Sequence, residues 1–178
     1  MNRKLKLWEL DRVSEEQYKT QPKFPISVIL NDIRSLNNIG AFFRTADAFN
    51  IQKMYLCGIT AQPPHREIHK TALGATESVD WEYHESIHSL LEQLKSTGTL
   101  IASIEQAEQT TLLQHIDQLP DQQIALVFGN EVDGVDQAVI DASDYIIEIP
   151  QFGTKHSLNV SVCAGVVMWE FCKKYIGN

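Results

Sequence analysis

Residues 149–162 read Ile149-Pro150-Gln151-Phe152-Gly153-Thr154-Lys155-His156-Ser157-Leu158-Asn159-Val160-Ser161-Val162, and they join a strand-like run to a long apolar segment. The strand-like run, residues 145–149, stops at a proline. The apolar segment, residues 158–175, predicts a helix with Ser157 as its N-cap. A strand, a sharp loop and a helix N-terminus leave free backbone N–H groups facing one spot. In an open α/β sheet that spot lies beyond the carboxyl ends of the strands, where ligands bind.

The predicted helix at 158–175 is apolar on every side except near its start, where Ser157, Asn159 and Ser161 occur. A helix that is apolar all round belongs inside a protein or in an interface. Polar groups buried at its mouth need partners, and a bound ligand is one candidate.

The rest of the chain alternates apolar runs with helical patterns, which predicts an α/β fold with a mostly parallel sheet flanked by helices. The predicted strands are residues 26–30, 53–57, 79–83, 100–104, 124–128 and 145–149. Four helices are predicted over residues 39–49, 110–116, 136–142 and 158–175, the first with Asn37 or Asn38 as its N-cap. A further helix begins at Ile87 and ends at Gly98, and a short helix ends near Gly74. With 178 residues the chain fits one domain, residues 26–178, preceded by an N-terminal helix or arm over residues 1–25.

The charge is unevenly spread along the chain. The formal net charge is −8, which argues against a protein that coats nucleic acid nonspecifically. Residues 81–148 hold most of the acidic side chains, whereas the remainder is neutral or mildly basic. A basic face for a polyanion is therefore compatible with the sequence, and ordinary solvated surface is the alternative.

Composition also bears on the cellular compartment. There is no uninterrupted apolar run long enough to span a bilayer, and no apolar stretch follows the basic start in the way that a signal peptide requires. The three cysteines, Cys57, Cys163 and Cys172, are odd in number and lack metal or redox spacing. They predict reduced core thiols in a cytoplasmic protein.

Two charged residues stand out by their neighbours. Glu131 follows a buried strand in a loop flanked by Gly129 and Gly134, which holds a carboxylate just beyond a strand end; a plain turn with a solvated acid is the alternative. Arg44 lies on the predicted helix at 39–49 beside small residues, so a substrate or a second subunit can approach it closely. An exposed helix arginine is the alternative interpretation. The loop at 129–134 lacks the Lys and Ser/Thr of a P-loop, so a nucleotide triphosphate cradle is not expected.

A zinc site is the other chemistry that the sequence raises. His84-Glu85-Ser86-Ile87-His88 matches the H-E-x-x-H pattern of zinc hydrolases. That pattern needs a helix from its first histidine, yet the residues before His84 predict a strand and Ser86 predicts a helix cap. No third ligand follows at a suitable spacing, so no metal is expected. His65 and His69 are also four apart, and they are expected to face solvent or RNA.

Three blocks, in this order and spacing, resemble the motifs of the SpoU (TrmH) class of SPOUT RNA methyltransferases. They are residues 38–46, from Asn38 through Arg44; residues 128–134, from Phe128 through Glu131; and residues 149–162, from Ile149 through Asn159. The resemblance covers about residues 26–175. It implies a C-terminal trefoil knot, which composition and periodicity do not indicate and which is rare among folds. It also implies a homodimer, S-adenosyl-L-methionine as methyl donor, and methylation of a ribose 2′-hydroxyl in RNA.

The resemblance further assigns roles to positions of this chain. The backbone at Ser103, Gly129, Ile149 and Leu158 is expected to hold the cofactor, with Ser157 and Asn159 beside the cofactor and the reacting ribose. Arg44 is expected to activate the hydroxyl, oriented by Asn38 and Glu131. Because a guanidinium stays protonated in proteins, contact with the hydroxyl and a nearby phosphate is the safer role for Arg44, and proton acceptance needs a phosphate relay or desolvation.

The sequence thus predicts a cytoplasmic RNA 2′-O-ribose methyltransferase, with tRNA slightly favoured over rRNA as substrate. The acidic balance leaves room for an accessory protein that supplies RNA affinity. The rival predictions are a catalytically silent, dimeric RNA-binding module of the same fold and a zinc hydrolase built on His84 and His88.

Overall fold

The computed structural model describes residues 2–176, and within that range a seven-stranded sheet forms the centre of the molecule. The strands are β1 (Phe24–Asn31), β2 (Ile51–Cys57), β3 (Trp81–His84), β4 (Leu100–Ile104), β5 (Thr111–Leu112), β6 (Ile124–Phe128) and β7 (Tyr145–Glu148). Their order is β3-β2-β1-β6-β4-β7-β5, and every neighbouring pair is parallel. The predicted α/β class with a largely parallel sheet is confirmed.

Helices cover both faces of this sheet, which is why its central strands are continuous apolar runs. The helices are α1 (Glu15–Thr20), α2 (Leu36–Ala48), α3 (Arg66–Ala72), α4 (Ala75–Ser78), α5 (Ile87–Ser96), α6 (Gln137–Ala142) and α7 (Val160–Cys172), with short 3-10 turns at Leu7–Glu9, Leu113–Gln118 and Lys173–Tyr175. The side chains of α2, α3 and α7 pack into one core layer. Those of α5 and α6 pack into a second layer on the opposite face.

The order of the last strands brings distant segments together. Strand β7 lies between β4 and β5, although both precede it in the chain. After β7 the chain turns into α7, which packs against α2. The start of α2, the end of β6 and the start of α7 therefore share one edge of the sheet. The trefoil knot stays an implication of the resemblance.

Two predicted helix starts are wrong, and both errors concern the N-cap. Helix α2 begins at Leu36, three residues before the predicted start, because the Ser35 side chain accepts a hydrogen bond from the Asn38 amide at 3.3 Å. Helix α7 is capped by Asn159 and not by Ser157: Asn159 Oδ1 accepts from the Ser161 and Val162 amides. Several residues in each stretch can serve as caps, so composition alone does not choose among them.

The segment between β4 and β6 also departs from prediction. A short helix is predicted over 110–116, but Thr111 and Leu112 form strand β5, which pairs with β7, and a 3-10 turn follows. The pairing partner is more than 30 residues away, so no local sequence pattern predicts this strand.

The N-terminal segment is held to the domain by α1. Tyr18 on this helix is buried, and its hydroxyl donates to the Ala46 carbonyl at 3.3 Å. The domain boundary at residue 25 remains a prediction, and residues 1, 177 and 178 lie outside the described range.

Candidate functional site

A cavity of about 660 Å³ lies at the carboxyl ends of β4, β6 and β7, where ligands bind in open α/β sheets. Four chain segments form most of its wall: residues 104–106, 128–135, 149–151 and 157–160. Its size falls within the range of about 300–1,000 Å³ that small-molecule sites occupy. The last two segments belong to residues 149–162, so the predicted loop borders this cavity.

The loop at 129–134 is closed on itself by backbone contacts. Asn130 and Gly134 exchange both of their backbone hydrogen bonds at 3.1 Å, and Asn130 Oδ1 accepts from the amides of Val132 and Asp133 at 2.9 Å. Gly129 sits directly against this ring, since a Cβ at that position would overlap the Gly134 carbonyl group. The loop therefore needs glycine at 129 in order to close.

Glu131 fastens this loop to the start of α2. Its carboxylate accepts from the backbone amides of Arg34 and Ser35 at 3.0 and 3.1 Å, and from Asn38 Nδ2 at 2.8 Å. Burial raises the pKa of the Glu131 carboxyl, but these hydrogen bonds favour the charged form more strongly, so the pKa lies below its ordinary value of 4.5. Glu131 is thus a carboxylate with defined partners and not a plain solvated acid.

Asn38 links that carboxylate to α7. While its Nδ2 donates to Glu131, its Oδ1 accepts from Asn159 Nδ2 at 3.3 Å. Asn159 in turn caps α7 through Oδ1, which also accepts from the Ser161 hydroxyl at 2.6 Å. A continuous chain of hydrogen bonds therefore joins one residue from each of the three sequence blocks.

The two ends of the loop at 151–157, Gln151 and Ser157, belong to another part of the wall, and this loop is much more exposed. Phe152 is 97% exposed, and the neighbouring side chains through Ser157 also lie in solvent. Gln106 Nε2 donates to the His156 carbonyl at 2.8 Å. Within residues 2–176 this is the only hydrogen bond that ties positions 151–157 to the rest of the chain.

Most of the predicted site residues meet at this cavity. Gly129, Glu131, Ile149, Ser157, Leu158 and Asn159 belong to its wall. Asn38 contacts two of them from α2. The roles predicted for these residues, cofactor binding and orientation of Arg44, remain predictions.

Ser103 and Arg44 lie outside the cavity wall. Ser103 is fully buried and its hydroxyl is 2.7 Å from that of Ser143, while the wall begins one residue later at Ile104. Arg44 is exposed on α2, and none of the described residues pairs with its guanidinium. Arg44 is therefore free to contact a molecule outside its own chain.

Sequence reasoning missed Glu105 and Gln106 at the end of β4. Glu105 accepts from the amides of Val135 and Gln106 at 3.0 and 2.8 Å, and its carboxylate lies where a side chain at Gly134 would point. Glu105 thus contacts the end of the loop at 129–134, and Gln106 contacts the loop at 151–157. Both residues could have been predicted from the sequence, because polar residues that directly follow a predicted strand lie at the ligand-binding edge of a parallel sheet.

The wall also includes Cys163, which belongs to the three predicted core thiols. All three cysteines are free. Burial raises the pKa of each thiol to about 12, so at neutral pH they stay protonated and unreactive.

The H-E-x-x-H pattern is divided between two elements. His84 ends strand β3 and its ring nitrogen is 2.7 Å from Glu82, whereas Ser86 caps α5, on which His88 lies. The helix that this zinc motif requires is therefore interrupted at its first histidine. Across residues 2–176, no three His, Cys, Asp or Glu side chains converge as a metal site would require.

The sequence of this chain is similar to those of known RNA methyltransferases. The chain belongs to the SpoU rRNA Methylase family, whose model matches residues 25–169. A curated relative, 23S rRNA (guanosine-2'-O-)-methyltransferase RlmB of Neisseria meningitidis, is 34% identical over 146 residues, which is 82% of this chain and 57% of the relative. The chain thus spans little more than half of that relative's length.

Solved structures confirm the fold. The TrmH/SpoU tRNA modifying enzyme of A. aeolicus aligns with a TM-score of 0.78 at 24% identity, over 90% of this chain and 79% of that one. The SpoU methyltransferase AviRb of Streptomyces viridochromogenes, in complex with AdoMet, also aligns with a TM-score of 0.78, at 20% identity, over 90% of this chain and 64% of that one. None of the helices in residues 2–176 has the length and apolar character needed to cross a bilayer.

Proposed function

We propose that this chain methylates a ribose 2′-hydroxyl in RNA, with S-adenosyl-L-methionine as the donor. The observation that carries the proposal is the hydrogen-bond chain Glu131–Asn38–Asn159, which brings the three family motifs to one cavity. Membership of the SpoU rRNA Methylase family supports it, as does the activity for which the Neisseria relative is named.

The cavity suits a donor of this kind in size and in chemistry. Apolar side chains on its wall, such as Ile149, Leu158 and Val160, can cover an adenine ring, while the loops supply backbone polar groups. We assign donor binding to the backbone at Gly129, Ile149 and Leu158, aided by Ser157, and to the backbone at Ser103, which directly precedes the wall residue Ile104. When bound, S-adenosyl-L-methionine supplies an already activated methyl group, so the protein has chiefly to position the reactants.

Arg44 is the residue that we assign to the ribose. A guanidinium stays protonated and offers five donors, so it can hold the phosphate beside the reacting hydroxyl and stabilise the hydroxyl oxygen while its proton passes through that phosphate to solvent. Asn38 and Glu131 fix the start of the helix that carries Arg44. Arg44 is absent from the wall of the described cavity, so we assign it to the site of a second copy of the chain in the predicted homodimer.

Helix α7 offers a surface on which such a homodimer can form. Three apolar side chains spaced along one stripe of α7, Val162, Val166 and Trp169, are between 42% and 55% exposed. An apolar stripe of this kind on a helix commonly marks a protein–protein contact. The prediction that this helix lies inside the protein or in an interface is compatible with the stripe.

The class of RNA substrate, the cellular compartment and the need for an accessory protein are proposals as well. We expect a cytoplasmic enzyme, and we retain tRNA ahead of rRNA as the first substrate to test. An accessory protein that adds RNA affinity is compatible with the net charge of −8.

Substitution of Arg44 tests the assignment. Arg44→Ala is expected to lower methyl transfer to bulk RNA at least about 100-fold, because it removes a preorganised charge at the reacting oxygen. Donor affinity, measured by calorimetry, should be unchanged, and Arg12→Ala, another exposed arginine, should behave as the wild type. Loss of donor binding in Arg44→Ala would contradict the role. Wild-type protein that binds the donor and RNA without turnover would favour the silent RNA-binding module.

Mixed dimers test whether Arg44 acts across the interface. In a heterodimer of Arg44→Ala with Asn159→Ala, one site keeps both residues if they come from different subunits, and neither site does if they come from one. Activity of the mixture above that of either variant alone is therefore expected. A mixture no more active than its components would place Arg44 and Asn159 in the same subunit's site.

A further inference from the structure

The wall of the cavity at the carboxyl ends of β4, β6 and β7 is negatively charged. Its charged side chains are Glu105, Glu131 and Asp133, and none of the residues that line it is lysine, arginine or histidine. Arg34 offsets one of these charges, since its guanidinium lies 3.6 Å from the Asp133 carboxylate. Three carboxylates and one cation leave an excess of negative charge around the cavity.

The charged residues that lie next to the wall in sequence do not cancel this excess. Two basic residues, Lys155 and His156, adjoin the wall on the exposed loop at 151–157. The acidic residues within two positions of the wall are Glu108, Asp136, Asp141 and Glu148. The surroundings of the cavity are therefore more acidic than basic, as the wall itself is.

Glu105 is the carboxylate of this wall that solvent screens least. Glu131 and Asp133 are exposed, whereas Glu105 is partly buried. Glu131 also directs its charge to the start of α2, and Asp133 faces Arg34. A charge acts more strongly where less water surrounds it, so Glu105 contributes most to the field inside the cavity.

The position of Glu105 is fixed, and its charge acts on both sides of the cavity. Its oxygens accept from the Val135 and Gln106 amides at 3.0 and 2.8 Å, which leaves lone pairs free on a carboxylate. Cys163 lies in the first turn of α7 and also lines the cavity. Burial and, to a smaller extent, the negative charge of Glu105 raise the pKa of the Cys163 thiol to about 12. The field of Glu105 thus reaches α7 as well as the loop at 129–134.

We propose that Glu105 makes this cavity select the cationic methyl donor over its product. The inference rests on the proposed function, because it takes S-adenosyl-L-methionine as the ligand. At neutral pH that donor carries a sulfonium, an ammonium and a carboxylate, so it is a net cation. S-adenosylhomocysteine, the product of methyl transfer, has a neutral thioether in place of the sulfonium and no net charge.

A partly buried negative charge attracts the net cation and has much less effect on the neutral product. Glu105 is therefore a specificity-determining residue, which raises the affinity for the donor without holding the product. Because the cavity is open to solvent, we expect the attraction to amount to about a tenfold difference in affinity. A site of this kind exchanges product for donor readily.

Calorimetric titration with S-adenosyl-L-methionine and with S-adenosylhomocysteine provides the test. Glu105→Gln removes the charge and keeps one oxygen that can accept from a backbone amide. Its affinity for the donor should fall about tenfold, while its affinity for the product should change by less than about twofold. Glu105→Asp keeps the charge and should retain most of the preference for the donor. Glu108→Gln, the control, removes an exposed acid of the same segment outside the wall and should match the wild type.

The ratio of the two affinities distinguishes this role from a structural one. Equal weakening of both ligands in Glu105→Gln would overturn the inference, because Glu105 would then support the shape of the wall or bind a group that both ligands share. An equal loss of preference in Glu108→Gln would also overturn it, since the effect would then follow the charge of the whole surface. Wild-type protein that binds neither ligand would contradict the proposed function itself. Methyl transfer by the wild type, with an unchanged ratio in Glu105→Gln, would contradict this inference alone.

Discussion

The two loops that enclose the cavity differ sharply in how they are held. The loop at 129–134 is closed by its own backbone, tied to α2 through Glu131 and to β4 through Glu105. The loop at 151–157 is exposed along its length, with the Gln106–His156 contact as its one hydrogen bond to the rest of the described chain. The loop at 129–134 is thus ordered without a ligand. The loop at 151–157 has few interactions that hold it in one conformation.

This difference has an energetic meaning. A wall that is already ordered binds a ligand without further loss of conformational entropy, whereas a weakly tied loop must be ordered at that moment. We therefore expect the first loop to determine donor affinity and the second to adjust to what is bound.

The largest effect is expected from a methyl group added to the closed loop. Gly129→Ala forces a Cβ into the Gly134 backbone, which should destabilise the protein by about 1–3 kcal/mol, the usual cost of overpacking. Donor affinity should fall with it, because the backbone at 129 is part of the wall. Urea denaturation and calorimetry measure the two effects.

Gly153→Ala is the matched control in the other loop. A Cβ at Gly153 has no atom within 4 Å, so stability and donor affinity should stay close to the wild type. If both variants lose donor affinity equally, the two walls are equally constrained and the contrast between them is wrong.

A smaller effect is expected where the exposed loop ends. Asn159→Ala removes the N-cap of α7 and should cost about 1 kcal/mol of stability. Asn159→Asp keeps the capping oxygen but loses the donor to Asn38, so it should restore stability while methyl transfer stays low. Recovery of full activity in Asn159→Asp would show that the link to Asn38 is dispensable.

The smallest effect concerns the pH dependence of stability. The pKa of Glu131 is lower in the folded protein than its ordinary value of 4.5, so its stabilising contribution is complete above that value and is lost as the pH falls through the lowered pKa. For a group as exposed as this one the contribution is about 1 kcal/mol or less. Glu131→Gln should therefore be slightly less stable than the wild type near neutral pH, and the difference should shrink under acid denaturation. A difference that is independent of pH would exclude the charge as its cause.

The central strands were the most predictable part of the fold. Strands β4 and β6 match their predicted bounds, because residues buried on both faces of a parallel sheet form continuous apolar runs. Strand β5 was missed, because two residues carry no periodicity and their pairing with β7 is made at long range. The two N-caps were misplaced since cap choice depends on which side chain reaches a free amide.

The amino-acid sequence by itself determined the alternation of strands and helices, the family of the chain and the three blocks that make the site, since all of these depend on local order along the chain. The tertiary structure alone decided that Asn38 bridges Glu131 and Asn159, and that Arg44 lies outside the cavity wall of its own chain. Hydrogen bonds between side chains 93 and 121 positions apart depend on how helices and strands are brought together in space. Linear spacing carries no information on that arrangement.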